Sequence, residues 1–479
     1  MKRLNILVLC DCHRNTASTI FDHANSFLKY SKHTTYHFNS ARVRKPKWLD
    51  LGVFDVIIIH YSISVLWESY LNASWRHAVS ASPALKVLFI QDEYREVHKV
   101  HERIREMDVR LLFTLASQDV AVQIYPPDQL PGLRLVTTLA GYVPSYIEEI
   151  PARPLRERPI DVGYRARGEG FWWLGSLFQD KARIGREFLR LAPRRGIRCD
   201  ISTAENDRLY GRKWIRFLRN CRCTLGAESG ASVVDFSGEI EENVKRYRKE
   251  NPSASFEETK SRFFADVDGK IVYRGFSPRS FESVACGCAL IMFEGDYFGI
   301  LQPHVHYIPL RRDFSNFDEV CEKIRDYDFL LNMTQRTHAA LIASQRFSYE
   351  TFCKEADRQI EKAWEAMQAS PSAPPVVAVE SSADHTDAHN REHPSQTIPS
   401  WLYAKLQLVW RAIFNPGKAI RCVPSEMAAC LRKMAIVILA VMLRFSPFHW
   451  YQEIRLRLGV GRLKRAKHLE SNLPDTKGN

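Results

Sequence analysis

The residues best placed to do chemistry lie in Ser277-Pro-Arg-Ser-Phe-Glu282-Ser-Val-Ala-Cys-Gly287-Cys-Ala-Leu-Ile-Met292. A polar loop leads into a short helix in which Phe281, Val284 and Ala285 share one face. Gly287 stops that helix, and Ala289 to Met292 reads as a buried strand. A glutamate near the start of such a helix, at the C-terminal edge of an α/β sheet, sits where phosphates and ribose hydroxyls bind. The plain alternative is a capped helix whose carboxylate merely suits the helix dipole. Arg279 could likewise pair with Glu282 across one turn. Upstream, Asp161-Val-Gly-Tyr-Arg165 puts Arg165 just past Gly163 at a strand end, where a guanidinium can grip a diphosphate through two hydrogen bonds. Lys181 opens the next helix, and for either cation the alternative is a solvated surface charge.

The pattern Ser277-x-Arg279-x-Phe281-Glu282-x-x-Ala285-Cys286-Gly287, with Gly299-Ile-Leu-Gln-Pro303 and His306-Tyr-Ile-Pro-Leu310 after it, resembles the donor-binding signature of GT-B glycosyltransferases. Bacterial CgeB-like and family-4-like (group 1) proteins are the groups it resembles most. Gly163, Arg165, Leu174, Gly175 and Lys181-Ala-Arg-Ile-Gly185 resemble the CgeB-like group as well. The resemblance implies a nucleotide-sugar donor as substrate, no separate cofactor, and a glycan or lipid-linked acceptor of the cell envelope or a polysaccharide. It implies that Arg165 and Lys181 clamp the diphosphate and that Glu282 holds the ribose, with Ser277 and Arg279 lining the phosphate loop. One departure stands out. Many retaining family-4 enzymes carry Glu-x7-Glu, and the first of these positions is Arg274 here.

Transfer from such a donor needs a neutralised diphosphate, a held ribose and an acceptor hydroxyl placed in line. Acceptor-side candidates follow the strands of the first half: Asp11 and His13, then His60, then Asp92 and Glu93. A hydrogen-bonded structural role is the commoner fate of a single histidine. Asp92 or Glu93 is the favoured carboxylate, and the sequence does not choose between them. No Asp-x-Asp pair has a GT-A-like setting, so no metal is expected, and Asp266-Val-Asp268 reads as surface. The absence of a GxGxxG loop argues against a nicotinamide dehydrogenase.

These residues need a parallel α/β frame. Ile6 to Cys10, Val56 to His60, Val87 to Gln91, Leu111 to Leu115 and Leu135 to Leu139 are strand-sized apolar runs separated by helical patterns such as Thr16 to Tyr30. A second alternating set starts at Ile160 to Tyr164 and continues through Arg198 to Ser202 and Cys221 to Gly226. A charged insertion interrupts it from Phe236 to Lys270, and Tyr349 to Trp364, capped by Ser348, closes it. The expectation is an α/β protein with two Rossmann-like domains. An acceptor-side domain spans 1–150 and a donor-side domain 151–366, with Pro144 to Pro159 as the link between them. A disordered linker, 367–400, and a basic, amphipathic, helical tail, 401–479, follow.

The net charge of +13 raises anionic partners, and much of it sits in the tail. There, Met434 to Leu443 is too short to span a bilayer and is flanked by Arg432, Lys433 and Arg444, which suits a helix lying on an anionic leaflet; the alternative is a tightly packed helical subdomain. No nucleic-acid reading motif is visible, so no specific nucleic acid is expected. Among the eleven cysteines, Cys10/Cys12, Cys221/Cys223 and Cys286/Cys288 are C-x-C pairs and Cys10, Cys286 and Cys288 lie in apolar segments, which suits reduced cytosolic thiols better than a zinc site. With no leader segment evident, the expected location is cytoplasmic, peripheral on the inner face of the membrane. The rival reading is a non-catalytic, membrane-associated scaffold with a degenerate GT-B fold.

Overall fold

Apolar strands that alternate with helices assemble here into two parallel sheets. The computed structural model describes residues 2–11, 17–148, 153–168 and 170–369. His13, the tail 401–479 and all but the first three residues of the expected linker 367–400 lie outside them. The first sheet comprises β1 (Asn5–Cys10), β2 (Thr34–Asn39), β3 (Val56–Ile59), β4 (Leu85–Phe89), β5 (Val109–Thr114) and β6 (Arg134–Thr137), in the order β2-β1-β3-β4-β5-β6. All its pairings are parallel. The second is built from β7 (Ile160–Arg165), β8 (Cys199–Ser202), β9 (Cys221–Gly226), β12 (Ala289–Phe293) and β13 (Ile308–Leu310). Its order is β13-β12-β9-β7-β8, again parallel throughout. Between β9 and β12 in the chain, β10 (Ser229–Ala231) and β11 (Tyr273–Gly275) form a small antiparallel pair. Each sheet is Rossmann-like, and each reverses its strand order once, between β1 and β3 and between β7 and β9.

Seven helices matter to the argument: α1 (Ser18–Tyr30), α2 (Ser176–Leu191), α3 (Gly211–Arg219), α4 (Glu239–Glu250), α5 (Phe256–Phe263), α6 (Arg279–Ala285) and α7 (Tyr349–Ala369). The Ser348 hydroxyl accepts the Thr351 N–H at 3.1 Å and so starts α7. That helix leaves the second half and lays Phe352, Cys353, Ala356 and Ile360 with α1 over Val87, Phe89, Leu111 and Phe113 of the first sheet. It continues to Ala369, past residue 367 where the linker was expected to begin.

Two readings change. Strand β2 was not foreseen, because as an edge strand of sequence TTYHFN it is only half-buried and shows no apolar run. The insertion from Phe236 to Lys270 is no mere charged surface. Val244 and Phe264 are fully buried in one core with Val97 and Val100 of the first half, and with Trp172 and Leu174 of the second. Arg95 grips Glu241 through two hydrogen bonds of 2.7 and 2.5 Å, and the Val97 and His98 amides donate to the carbonyls of Asp235 and Phe236. The insertion therefore straps the two halves together.

Candidate functional site

A cavity of about 420 Å³ opens between the halves. Gln91, Asp92, Tyr94 and Arg95, after β4, form one wall. The ends of β7 and β9, at the reversal point of the second sheet, form the floor, and Ser277 and Arg279 close the far side. Ligands of open parallel sheets bind at that edge and at that reversal. A smaller space of about 160 Å³ adjoins it, sharing Asp92, Lys181 and Ser277 and adding Leu115, Thr138 and Phe276.

Lys181 lies on α2, whose first turn is fastened from a distance. The Asp268 carboxylate accepts the Ser176 N–H (3.2 Å), the Ser176 hydroxyl (2.5 Å) and the Ser232 hydroxyl (2.5 Å), and it pairs with Lys260 at 2.7 Å. Burial alone would raise its pKa, but these partners outweigh burial and hold the carboxyl below the ordinary range. The Asp268 side chain is only 3 % exposed, so the expectation that Asp266-Val-Asp268 is surface fails for this residue. Gly175, at φ +81°, precedes Ser176. A Cβ there would lie 2.6 Å from the Asp268 carboxylate, so the fastening requires glycine.

The Lys181 ammonium points into the cavity region without a hydrogen bond or ion pair among the described residues; its nearest ring is Phe178, 5.0 Å away. Burial, then the Arg279 and Arg167 guanidinia, lower its pKa to about 8 against the pull of Asp92. Arg279 donates to the Arg165 carbonyl at 2.8 Å, and Arg167 lies over Phe171. Neither has a carboxylate partner within ion-pair distance among the described residues. Asp92 is the one acidic residue lining this cavity among the described residues.

Arg165 lines the cavity, but its guanidinium is occupied. It donates to Asp200 Oδ1 (2.7 Å) and to the carbonyls of Tyr164, Asp200 and Asp207 (2.9, 2.9 and 3.2 Å), with its face on Phe217. Of the described cations lining the cavity, Lys181, Arg279 and Arg167 are the ones without a carboxylate partner. Glu282 does not line the cavity: its carboxylate accepts the Trp214 indole N–H at 2.7 Å, and it is the indole, stacked on Phe217, that faces the cavity. Burial raises the pKa of Glu282 in spite of that bond. The alternative pairing of Arg279 with Glu282 is not formed.

The two candidate carboxylates part company. Asp92 is exposed on both cavities and accepts the Tyr94 hydroxyl at 2.6 Å. Its φ of 59° is left-handed, a conformation that aspartate tolerates. Glu93 is 1 % exposed and turned away, accepting the Thr114 hydroxyl, the Leu115 amide and the Tyr273 hydroxyl at 2.7, 2.8 and 3.1 Å. Tyr273 belongs to β11, so Glu93 ties the two halves together and lines neither cavity. Burial lifts its pKa from 4.5 to about 7 despite the donors. An acid whose folded pKa is raised stabilises the fold below its unfolded pKa, and that contribution is lost as pH climbs through the folded value. Stability should therefore fall between about pH 4.5 and 7. Glu93→Gln should flatten that decline in denaturant titrations run at several pH values, by a few kcal/mol at most.

His60 is fully buried, with Nδ1 on the Ser62 hydroxyl (2.9 Å) and Nε2 on His23 Nδ1 (3.0 Å), and takes no part in the cavity. The Asp11 amide donates to the same Ser62. Cys221, Cys286 and Cys288 share one apolar cluster where burial pushes each thiol up to about 12.

One buried residue beneath the site escaped notice. Arg158, in the segment read as a link, is 2 % exposed, and its guanidinium donates to four carbonyls: Arg153 (2.8 Å), Cys221 (2.8 Å), Cys286 (2.9 Å) and Gly287 (3.0 Å). It pins the end of α6 to β9 and so fixes Ser277 and Arg279 over the cavity.

No protein-family model matches the sequence, and no curated protein matches it. Among solved structures, the fold is similar to an alpha-glucosyltransferase in complex with UDP-glucose and DNA containing an abasic site, at 11% identity and TM-score 0.46, covering 75% of this chain and 100% of that one. It is also similar to Anabaena HepE in complex with UDP and glucose, at 8% identity and TM-score 0.45 over 75% and 100% of the two chains. A third is TarM, at 10% identity and TM-score 0.37 over 64% and 54%. Likeness at this level bears on neither substrate nor reaction.

Proposed function

We propose that this chain is a GT-B-type glycosyltransferase that moves a sugar from a nucleotide donor to an acceptor hydroxyl. The observation that carries the reading is the convergence of Lys181, Arg279 and Arg167, none held by a carboxylate, on one cavity at the reversal point of a parallel sheet. A site that gathers cations without carboxylate partners is built for an anion. In the proposed reaction the bond from the sugar to the diphosphate breaks, a bond to the acceptor oxygen forms, and Asp92 takes the acceptor proton. The three cations neutralise the departing diphosphate. Trp214 offers a ring face to the nucleotide, and Glu282 is the positioning residue that orients it. We extend the proposal to a glycan or lipid-linked acceptor of the cell envelope and to a cytoplasmic enzyme held at the membrane by 401–479. No helix among the described residues is long and apolar enough to cross a membrane.

The non-catalytic scaffold has one observation in its favour. Arg274, where a glutamate is expected, pairs with the buried Glu228 at 3.2 Å, so that position is occupied by a structural ion pair. Product formation from a panel of nucleotide sugars decides between the two, and no turnover with any donor sinks the enzyme reading.

Calorimetric titration with nucleoside diphosphates tests the donor site directly. Lys181→Met should weaken binding ~10–100-fold, the loss of one charge-assisted contact of about 1.5–3 kcal/mol. The unliganded variant should be no less stable than wild type, because a charge without a partner leaves a half-buried position. Affinity should also decline above about pH 8 as the ammonium loses its proton. The lysine's own effect on stability runs the other way. Its folded pKa is lowered, so the penalty for holding it charged is full below about 8 and fades as pH rises toward 10.5.

A further inference from the structure

We infer that the loop following β2, residues 40–50, docks on an anionic lipid surface. Within it Arg42, Arg44, Lys45 and Lys47 fall in six residues, and none of their side chains has a hydrogen bond or ion pair among the described residues. Val43 and Trp48 stand among them at 43 % and 53 % exposure, too open to belong to the core. A solvated surface segment would carry charges alone. Cations interleaved with protruding apolar side chains suit a boundary where phosphates and acyl chains lie side by side. The aliphatic Val43 favours lipid over nucleic acid, since it has no ring to stack on a base.

The loop is held in shape. The Arg42 amide donates to the Ser69 carbonyl (2.7 Å), and the Val43 carbonyl accepts from Asn72 Nδ2 and Trp75 Nε1, both at 2.9 Å. Trp48 meets Phe38 of β2 edge-on at 6.1 Å. The bonds to Ser69 and Asn72 connect the loop to the turn at 67–72. Trp67 on that turn is 42 % exposed and lies beneath the Arg95 guanidinium, which lines the large cavity. The docking surface is thus joined to the rim of the cleft. This inference is independent of the reaction proposed above and of the segment beyond residue 400.

Hydrogen–deuterium exchange on the full chain tests it, with vesicles of phosphatidylcholine alone, vesicles with one-third phosphatidylglycerol, and a single-stranded oligonucleotide. Slowed exchange in residues 40–50 with the anionic vesicles only is the expected result. Vesicle binding with protection confined to residues beyond 400, no protection at all, or equal protection by the oligonucleotide overturns it. The R44Q/K45Q/K47Q variant should lower partitioning onto anionic vesicles at least ~tenfold, as each basic residue at such a surface contributes roughly fivefold. The variant's circular dichroism should match wild type, and its nucleoside diphosphate affinity should be unchanged. Unchanged partitioning also overturns the proposal.

Discussion

Asp92→Asn is expected to lower turnover ~10²–10⁴-fold, the range over which a positioned general base acts. Several features make this substitution informative. Asparagine adopts the left-handed conformation of residue 92 as readily as aspartate, so the backbone need not move. It also still accepts the Tyr94 hydroxyl, which leaves the wall of the cavity in place. The charge and the capacity to take a proton are what disappear. Nucleoside diphosphate affinity should hold or rise slightly, because the carboxylate opposes the three cations that grip the anion. Steady-state kinetics with the donor identified by calorimetry reads both quantities. A variant with full turnover removes Asp92 from the reaction, whereas one that loses donor affinity along with turnover makes it a structural part of the pocket.

Arg158→Leu should destabilise the protein by about 3–5 kcal/mol, the cost of emptying a buried polar network on one side only. The leucine fills part of the volume but leaves the carbonyls of Cys221, Cys286 and Gly287 without a donor in a site closed to water. Arg158→Lys should recover only part of the loss, since an ammonium cannot reproduce a planar fork reaching carbonyls on three segments. Chemical denaturation gives the stability. In whatever fraction remains folded, the end of α6 is released, and nucleoside diphosphate affinity should fall although residue 158 does not touch the cavity. Equal stability of the leucine variant and wild type would mean that water or a shifted backbone satisfies the three carbonyls.

These two residues also mark what the sequence made legible. Strands β1, β3, β4 and β5 are buried on both faces and announce themselves as short apolar runs, as parallel sheets require. Ser277, Arg279 and Lys181, which a local pattern singled out, all line the cavity. Arg158 was hidden by its neighbours: a stretch rich in proline, arginine and glutamate reads as a link, and nothing nearby shows that one of its arginines is swallowed whole. Arg165 lines the same cavity with its guanidinium already engaged. Its place at a strand end suits a diphosphate, yet the partner that occupies it, Asp200, comes from the adjacent strand. Glu93 and Asp92 are neighbours in the chain with opposite fates, decided by which one turns toward Thr114 and Tyr273. Asp268 fastens a helix more than ninety residues before it. Partnerships of this length leave no periodicity and no spacing to read.

The return of α7 to the first sheet has a consequence for how the protein is made. The six strands of that sheet are complete by Thr137, but the helix that covers one of their faces begins at Tyr349, roughly 200 residues later, or about 10–40 s of synthesis at ordinary ribosomal rates. During that interval Val87, Phe89, Leu111 and Phe113 have no final cover. The nascent chain is then a natural client for chaperones, and a fragment ending near residue 150 should bind a hydrophobic dye that the intact chain ignores.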